Sequence, residues 1–356
     1  MESVNKKRFL FFFVHPSKYH LFRYTINYLL NSGHHVDIAI IKKDVLEELV
    51  KQEGWKYTNI FPEGRRSKSK NSLAILIVTL INFIKTVWRL KKLTQGKKYD
   101  IYITDDCLTV IGFFRKVTTY MFIDDDLNAV KENAVLYIFA TKILSPQSTD
   151  LGRFNKKKIP VKGYKELAYL HPDYFRPDES VIKEFNPDFK NYIILRLVSL
   201  TASHDANKRG LSDTEVLKII NLLKEKYLIF ISAERSLKPE FEKYRLAIKP
   251  ELISNIISYA QLLITDSQTM TSEAAVLGTP SVRYNDFVGR INCMDEKEFK
   301  YGLTFGFKTN EYDKMLLKIS ELLEMPDLKK EWQDRRRKML AEMEDINQVM
   351  IKLFEN

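Results

Sequence analysis

Twice along this chain, short apolar runs bounded by turn formers alternate with stretches whose apolar residues recur at helical spacing. No other feature restricts the fold as much. "RFLFFFV" (8–14) reads as a strand, and Leu21, Tyr24, Tyr28 and Leu29 then mark one face of a helix over 19–33 that stops at Gly33. "HVDIAII" (35–41) is the next strand, followed by a helix in "DVLEELVKQEG" and a strand in "KYTNIF". Further strands are expected at "YDIYIT" (99–104), "TTYMFID" (118–124) and "KILSP", separated by helical stretches near 108–116 and 128–137. Such an order implies a parallel sheet with right-handed crossovers.

Pro and Asp concentrate in "YKELAYLHPDYFRPDES" and "FNPDFKN", which marks a linker near 163–190. The alternation then restarts with strands at "YIILRLVSL" (192–200), "LIFISA", "LLIT" and "PSVRYN". Between the first two lies a helix over 212–226, capped by Ser212. A length of 356 residues suits two cores better than one. The expected fold is therefore α/β, with two Rossmann-like doubly wound parallel-sheet domains facing a cleft, at 1–165 and 166–330. Leu340, Met343, Ile346, Met350 and Leu353 are spaced for a further helix across 331–356. In open parallel sheets ligands bind beyond the carboxyl ends of the strands, so the loops after each strand carry the functional information.

With 45% apolar and 29% charged residues, the chain has the make-up of a folded globular protein. Cys107 and Cys293 are the only cysteines. They can build neither a disulfide framework nor a thiolate metal site, and a reducing cytoplasm fits. The apolar run from Phe9 ends at Val14 without a small-residue cleavage site, so it reads as a strand and not as a signal peptide. The net charge of +11 is concentrated: residues 61–98 hold ten Lys and Arg against one acid, Glu63. The apolar stretch inside this segment, Leu73 to Ile81, falls short of the roughly 18 to 20 residues that a spanning helix needs. Two readings stay open for it, a buried helix with solvated basic ends or a peripheral contact with the anionic cytoplasmic face of a membrane. Nucleic acid is not an expected partner, because aromatics at base-stacking spacing and any helix-turn-helix or RNA-binding motif are missing.

Two loops in the second half could do chemistry. In "LLITDSQTMTSEAAVLG" the turn Asp266-Ser267 opens a helix whose first N–H groups and positive dipole end suit a diphosphate, although Ser267 could simply cap that helix. Glu273 lies six residues after Ser267, outside a capping box, among small neighbours. A carboxylate there can accept two hydrogen bonds from the vicinal hydroxyls of a ribose; the alternative is a solvated surface glutamate. The loop 199–213, "SLTASHDANKRGLSD", offers His204, Asp205 and Arg209 to phosphates, or is only a polar connector.

These residues carry a resemblance. Asp266-Ser267, Glu273-Ala274, Leu277-Gly278 and Pro280 are spaced as in the nucleotide-binding loop of bacterial UDP-N-acetylglucosamine 2-epimerases, and "LTASHD" resembles their "TAHRREN" loop with one extra residue. The tract "GYKELAYLHPDYFRPD", with "LTASHD" and "DSQTMTSEAAVLGTPSVRYNDFVGR", is similar still more closely to an uncharacterised prokaryotic family placed near the MurG-type and epimerase-type glycosyltransferases of GT-B fold. That resemblance implies that Ser267 and the N–H groups of Gln268 and Thr269 hold a diphosphate, Glu273 a ribose, and that His204 reaches the phosphates from the opposite loop. "VHPSKYH" resembles the family's first loop at His15, Pro16 and His20, with Lys18 where another His is usual. "FIDDDLNAV" follows a family segment that reads Asn-Asp-Thr-Glu-His and agrees at Asp125, while Leu127 and Asn128 replace Glu and His. By the same resemblance, the C-terminal helix crosses back onto the first domain.

The expected activity is transfer of a sugar from a nucleotide sugar, UDP-linked, to a glycan or lipid-linked acceptor in surface-polysaccharide biosynthesis. His20 or Asp125 would act as the base, with His204 at the phosphates. No cofactor is expected beyond the donor substrate, and no bound metal, since the helix start and the cationic loop stabilise the leaving diphosphate. Two alternatives remain open. One is a 2-epimerase or hydrolase drawing its carboxylates from Asp105, Asp106 and Asp125. The other is a nucleotide-sugar-binding protein without catalysis, suggested by Leu127 and Asn128.

Overall fold

A computed structural model describes residues 6–65, 72–198 and 210–356. The chain divides into one unit of residues 1–169 and 344–356 and a second of residues 170–343. The first unit holds seven strands: β1 (Arg8–Phe13), β2 (His35–Ile41), β3 (Tyr57–Phe61), β4 (Ile101–Thr104), β5 (Thr118–Phe122), β6 (Lys142–Pro146) and β7 (Lys158–Val161). All pair in parallel, in the order β3-β2-β1-β4-β5-β6-β7. Phe9 to Phe13 are wholly buried. That explains why this stretch is a continuous apolar run without alternation: a central strand of a parallel sheet is covered on both faces.

The second unit holds β8 (Tyr192–Leu197), β9 (Leu228–Ala233), β10 (Leu262–Thr265), β11 (Ser281–Tyr284) and β12 (Thr304–Phe307), again all parallel, in the order β12-β11-β10-β8-β9. The Asp213–Leu223 helix opens with a reciprocal cap, in which Ser212 accepts from the N–H of Glu215 and Glu215 accepts from that of Ser212. Both sheets reverse their strand order next to a central strand, β1 beside β4 and β8 beside β10. Such a reversal opens a crevice at the carboxyl ends of the strands.

The stretch expected as a linker contains helices, and the expected terminal helix is two. The 163–190 stretch holds the Leu167–Leu170 and Glu179–Phe185 helices, the second capped by Asp178, which accepts from the N–H of Ser180 at 2.8 Å. Val181 and Ile182 bury the inner face of that helix, so the Pro and Asp residues here punctuate helices, and the division between the two units falls inside the stretch, between residues 169 and 170. The terminal run is two helices, Leu328–Glu342 in the second unit and Ile346–Glu355 in the first. Asp345 starts the latter by accepting from the N–H groups of Asn347 and Gln348 at 2.8 and 3.1 Å. In the first unit Phe354 of this helix packs against Phe9, Phe11 and Tyr120, with ring centres 5.3–6.5 Å apart.

Candidate functional site

In the second unit β10, buried at all four residues, delivers the chain to Asp266-Ser267 and the Gln268–Leu277 helix. Ser267 is the cap: its Oγ accepts from the N–H of Met270 at 3.3 Å, and its own N–H donates to Thr265 Oγ1 at 2.8 Å. The first N–H groups of any helix lie ahead of its i→i−4 ladder. Ser267, Gln268 and Thr269 are half-buried, whereas every residue from Met270 to Pro280 is buried. Glu273 is only 8% exposed, which rules out the solvated surface glutamate. The helix stops at Gly278, where φ is +72° and a Cβ would fall 2.6 Å from the amide of Gln333.

Asp266 is 2% exposed and faces inward, its Oδ1 accepting from the N–H of Val198 at 2.8 Å. A Cβ at Gly210 would lie 2.4 Å from its Oδ2, so glycine is what lets the chain pass there. Asp266 thus touches the described residues on either side of the 199–209 segment, Val198 before it and Gly210 after it. Burial pushes its pKa up to about 6 against the opposing N–H of Val198. His204, Asp205 and Arg209 lie outside the described residues.

Arg283, on β11, is a residue that pattern reading of the sequence passed over. It is 1% exposed, and its guanidinium donates from Nη1 to Gln268 Oε1 at 3.1 Å. Its Nε has no hydrogen-bond partner among the described residues. Burial lowers its pKa, while Glu298 and Asp295 act on it through space in the other direction. A buried cation tied to a neutral amide adds positive potential at a helix start that already favours an anion. Its signal in the sequence is one charged residue inside an otherwise apolar and small strand.

In the first unit the residues after β1, β3, β4 and β5 form a charged cluster. Asp124 accepts from Lys18 at 3.3 Å and from Lys165. Burial opposes the charge on Asp124, but the two lysines win and hold it well below the usual carboxylate range. Asp106 is likewise penalised by burial and likewise held ionised, here by Arg65 at 2.8 Å. Asp105 is different: burial pushes its pKa up to about 6 in spite of Lys18 and Lys43, and its Oδ1 has no hydrogen-bond partner among the described residues. Neighbouring carboxyl groups driven apart in this way are the usual physical basis of an acid/base division of labour.

His15, which matches the first-loop motif, and the two expected bases of this unit, His20 and Asp125, stand in different surroundings. His15 caps the Pro16–Asn31 helix by accepting at Nδ1 from the N–H of Ser17 at 3.2 Å, and burial lowers its pKa to about 3. His20 lies between the rings of Tyr19 and Tyr169, at 4.9 and 5.0 Å, and burial lowers its pKa to about 4, so it is neutral at pH 7. Asp125 is half-buried and contributes to the field that keeps Lys165 charged. The structure thus brings Asp105, Asp106, Asp124, Lys18 and Lys165 to one end of the sheet. The sequence named the first two only as carboxylates that an epimerase would need.

Residues 14–356 match the model of a family described as "Protein of unknown function (DUF354)". The chain belongs to this family. No curated protein matches it in sequence. Among solved structures it is similar to the UDP-GlcNAc 2-epimerase of Neisseria meningitidis bound to UDP-GlcNAc, with a TM-score of 0.69 and 11% identity over 98% of this chain and 100% of that one. The glycotransferase of kitacinnamycin gives a TM-score of 0.64 and 14% identity over 99% of both chains. The calicheamicin glycosyltransferase CalG4 gives 0.62 and 10% identity over 99% of this chain and 98% of that one. This DUF354 chain therefore has the GT-B fold shared by glycosyltransferases and UDP-GlcNAc 2-epimerases.

Proposed function

We propose that the protein is a glycosyltransferase that takes its sugar from a UDP-linked donor and passes it to a glycan or lipid-linked acceptor. The observation that carries this reading is the start of the Gln268–Leu277 helix, capped by Ser267, backed by the buried cation of Arg283 and followed by the buried carboxylate of Glu273. The helix start takes the diphosphate, and the positive potential of Arg283 behind it helps stabilise the charge that develops as it leaves; Glu273 accepts from the ribose hydroxyls. That a fold neighbour holds UDP-GlcNAc supports the choice of nucleotide. In the first unit Asp105, with a pKa of about 6, is the base that takes the proton of the attacking hydroxyl.

The test is calorimetric. Glu273→Ala weakens UDP binding by about 1.5–3 kcal/mol, the scale of charge-assisted hydrogen bonds, while the protein stays folded; equal UDP affinity in the two proteins removes the ribose role. One observation favours a second reading. A carboxyl poised near pH 6 beside ionised neighbours also suits removal of a sugar proton, as a nucleotide-sugar epimerase requires. Incubation with UDP-sugars separates the two: epimerised or free sugar without acceptor favours the epimerase, and turnover only with acceptor favours the transferase.

A further inference from the structure

The Ser72–Thr94 helix of the first unit has two apolar faces. Phe83, Val87 and Leu93 pack with buried Leu90 into the core. On the other side Leu76, Ile77, Leu80, Ile81, Ile84 and Trp88 stand in solvent, Trp88 at 60% exposure. Their spacing lays them along one stripe. The Leu108–Arg115 helix packs against this one, and the Ala134–Phe139 helix packs against that in turn. Both continue the pattern, with Phe113 and Phe114 exposed on the first, Phe114 at 73%, and Val135 and Ile138 on the second. Phe113 and Phe114 each meet Phe139, with ring centres 5.4 and 6.3 Å apart, which joins two of the helices into a shared apolar surface. Exposed apolar patches of this extent mark interaction surfaces.

Charge selects the occupant. The Ser72–Thr94 sequence contains no acid and carries the exposed Lys85, Lys91 and Lys92. Lys116 and Lys131 are exposed beside the other two helices, with Glu132 the one exposed acid there. Glu63 is already paired with Arg89 at 2.7 Å. A second copy docked through this face would set two strongly basic segments against each other, whereas an acidic lipid surface is complementary to them. Among the described residues no helix is long and apolar enough to cross a membrane. We propose that this three-helix face seats the first unit on the surface of an anionic lipid bilayer, with Trp88 and Phe114 at headgroup depth and the lysines against lipid phosphates. The inference uses none of the residues assigned to the donor or to the base, so it stands or falls apart from the proposed reaction.

The experiment uses the whole chain with vesicles of phosphatidylcholine, with and without phosphatidylglycerol. The protein sediments with the anionic vesicles at low salt and is released by high salt. Trp55 and Trp332 are buried, so a blue shift of the tryptophan emission on binding reports Trp88. Replacing Lys91 and Lys92 by Gln weakens binding roughly 5-fold for each lysine. The pairs Leu80→Ser with Ile84→Ser, and Phe113→Ser with Phe114→Ser, each lower it about ten-fold or more while the circular dichroism stays that of the parent. Failure of the parent to bind anionic vesicles, or parent-like binding by both serine pairs, overturns the proposal. So does self-association without vesicles that shields Trp88 and disappears in the serine pairs, which would give the face to a second copy.

Discussion

Burial moves the carboxyl groups of Asp105 and Asp266 to the same pKa of about 6, yet their settings differ. Asp266 accepts a backbone N–H and keeps two chain segments together; Asp105 has an oxygen without a hydrogen-bond partner among the described residues. For Asp105 the folded chain keeps a proton between its ordinary pKa of 3.8 and about 6, where the unfolded chain has released it. Its contribution to stability is therefore largest in acid and declines as pH rises through that window. Asp105→Asn should stabilise the protein above pH 6, by about 1–3 kcal/mol in chemical denaturation, while removing turnover and leaving UDP affinity unchanged. With Asp105 as the proposed base, the parent's kcat should rise with pH through about 6 and level off above it. Turnover retained in Asp105→Asn would move the base elsewhere.

At the scale of elements, the start of the Gln268–Leu277 helix and the end of β11 act together through Arg283 and Gln268. Arg283→Met keeps the volume and removes a buried cation. It should leave the melting temperature equal or raised, and weaken UDP binding by about 1–2 kcal/mol. A variant that loses stability and keeps its UDP affinity would make Arg283 purely structural. The Gln268–Leu277 helix and most of the strands were legible in the sequence, because buried parallel strands read as short apolar runs and Ser267 and Gly278 punctuate the helix. β7 and β12 were not, since "KIPV" and "TFGF" carry a proline or a glycine that reads as loop. Asp345 was the missed signal for the break near 343–345: an apolar period can run through a break between two helices, and only the capping side chain reveals it. The Asp124–Lys165 pair joins residues 41 apart in sequence through the carboxyl ends of β5 and β7, a proximity that only the strand order creates.

The molecule as a whole is built from one continuous unit, 170–343, and one that the chain leaves and re-enters. In the first unit Asn347 donates to the carbonyl of Ala168 at 2.9 Å, and Lys7 donates to the carbonyls of Phe354 and Glu355 at 3.2 and 2.6 Å. Phe354→Ala should therefore cost about 3–5 kcal/mol, and in a scanning calorimeter it should shift the transition of the first unit while that of the second stays in place. A single transition displaced as one would show that the two units unfold together. The return of the Ile346–Glu355 helix also sets an order of events during synthesis. Residues 170–343 can close their sheet as soon as they clear the ribosome, but the part of the chain made first must wait, with Phe9 and Phe11 still lacking the cover of Phe354, until a segment made some 340 residues later arrives. Its nascent N-terminal half is accordingly the stretch on which a holding chaperone would act.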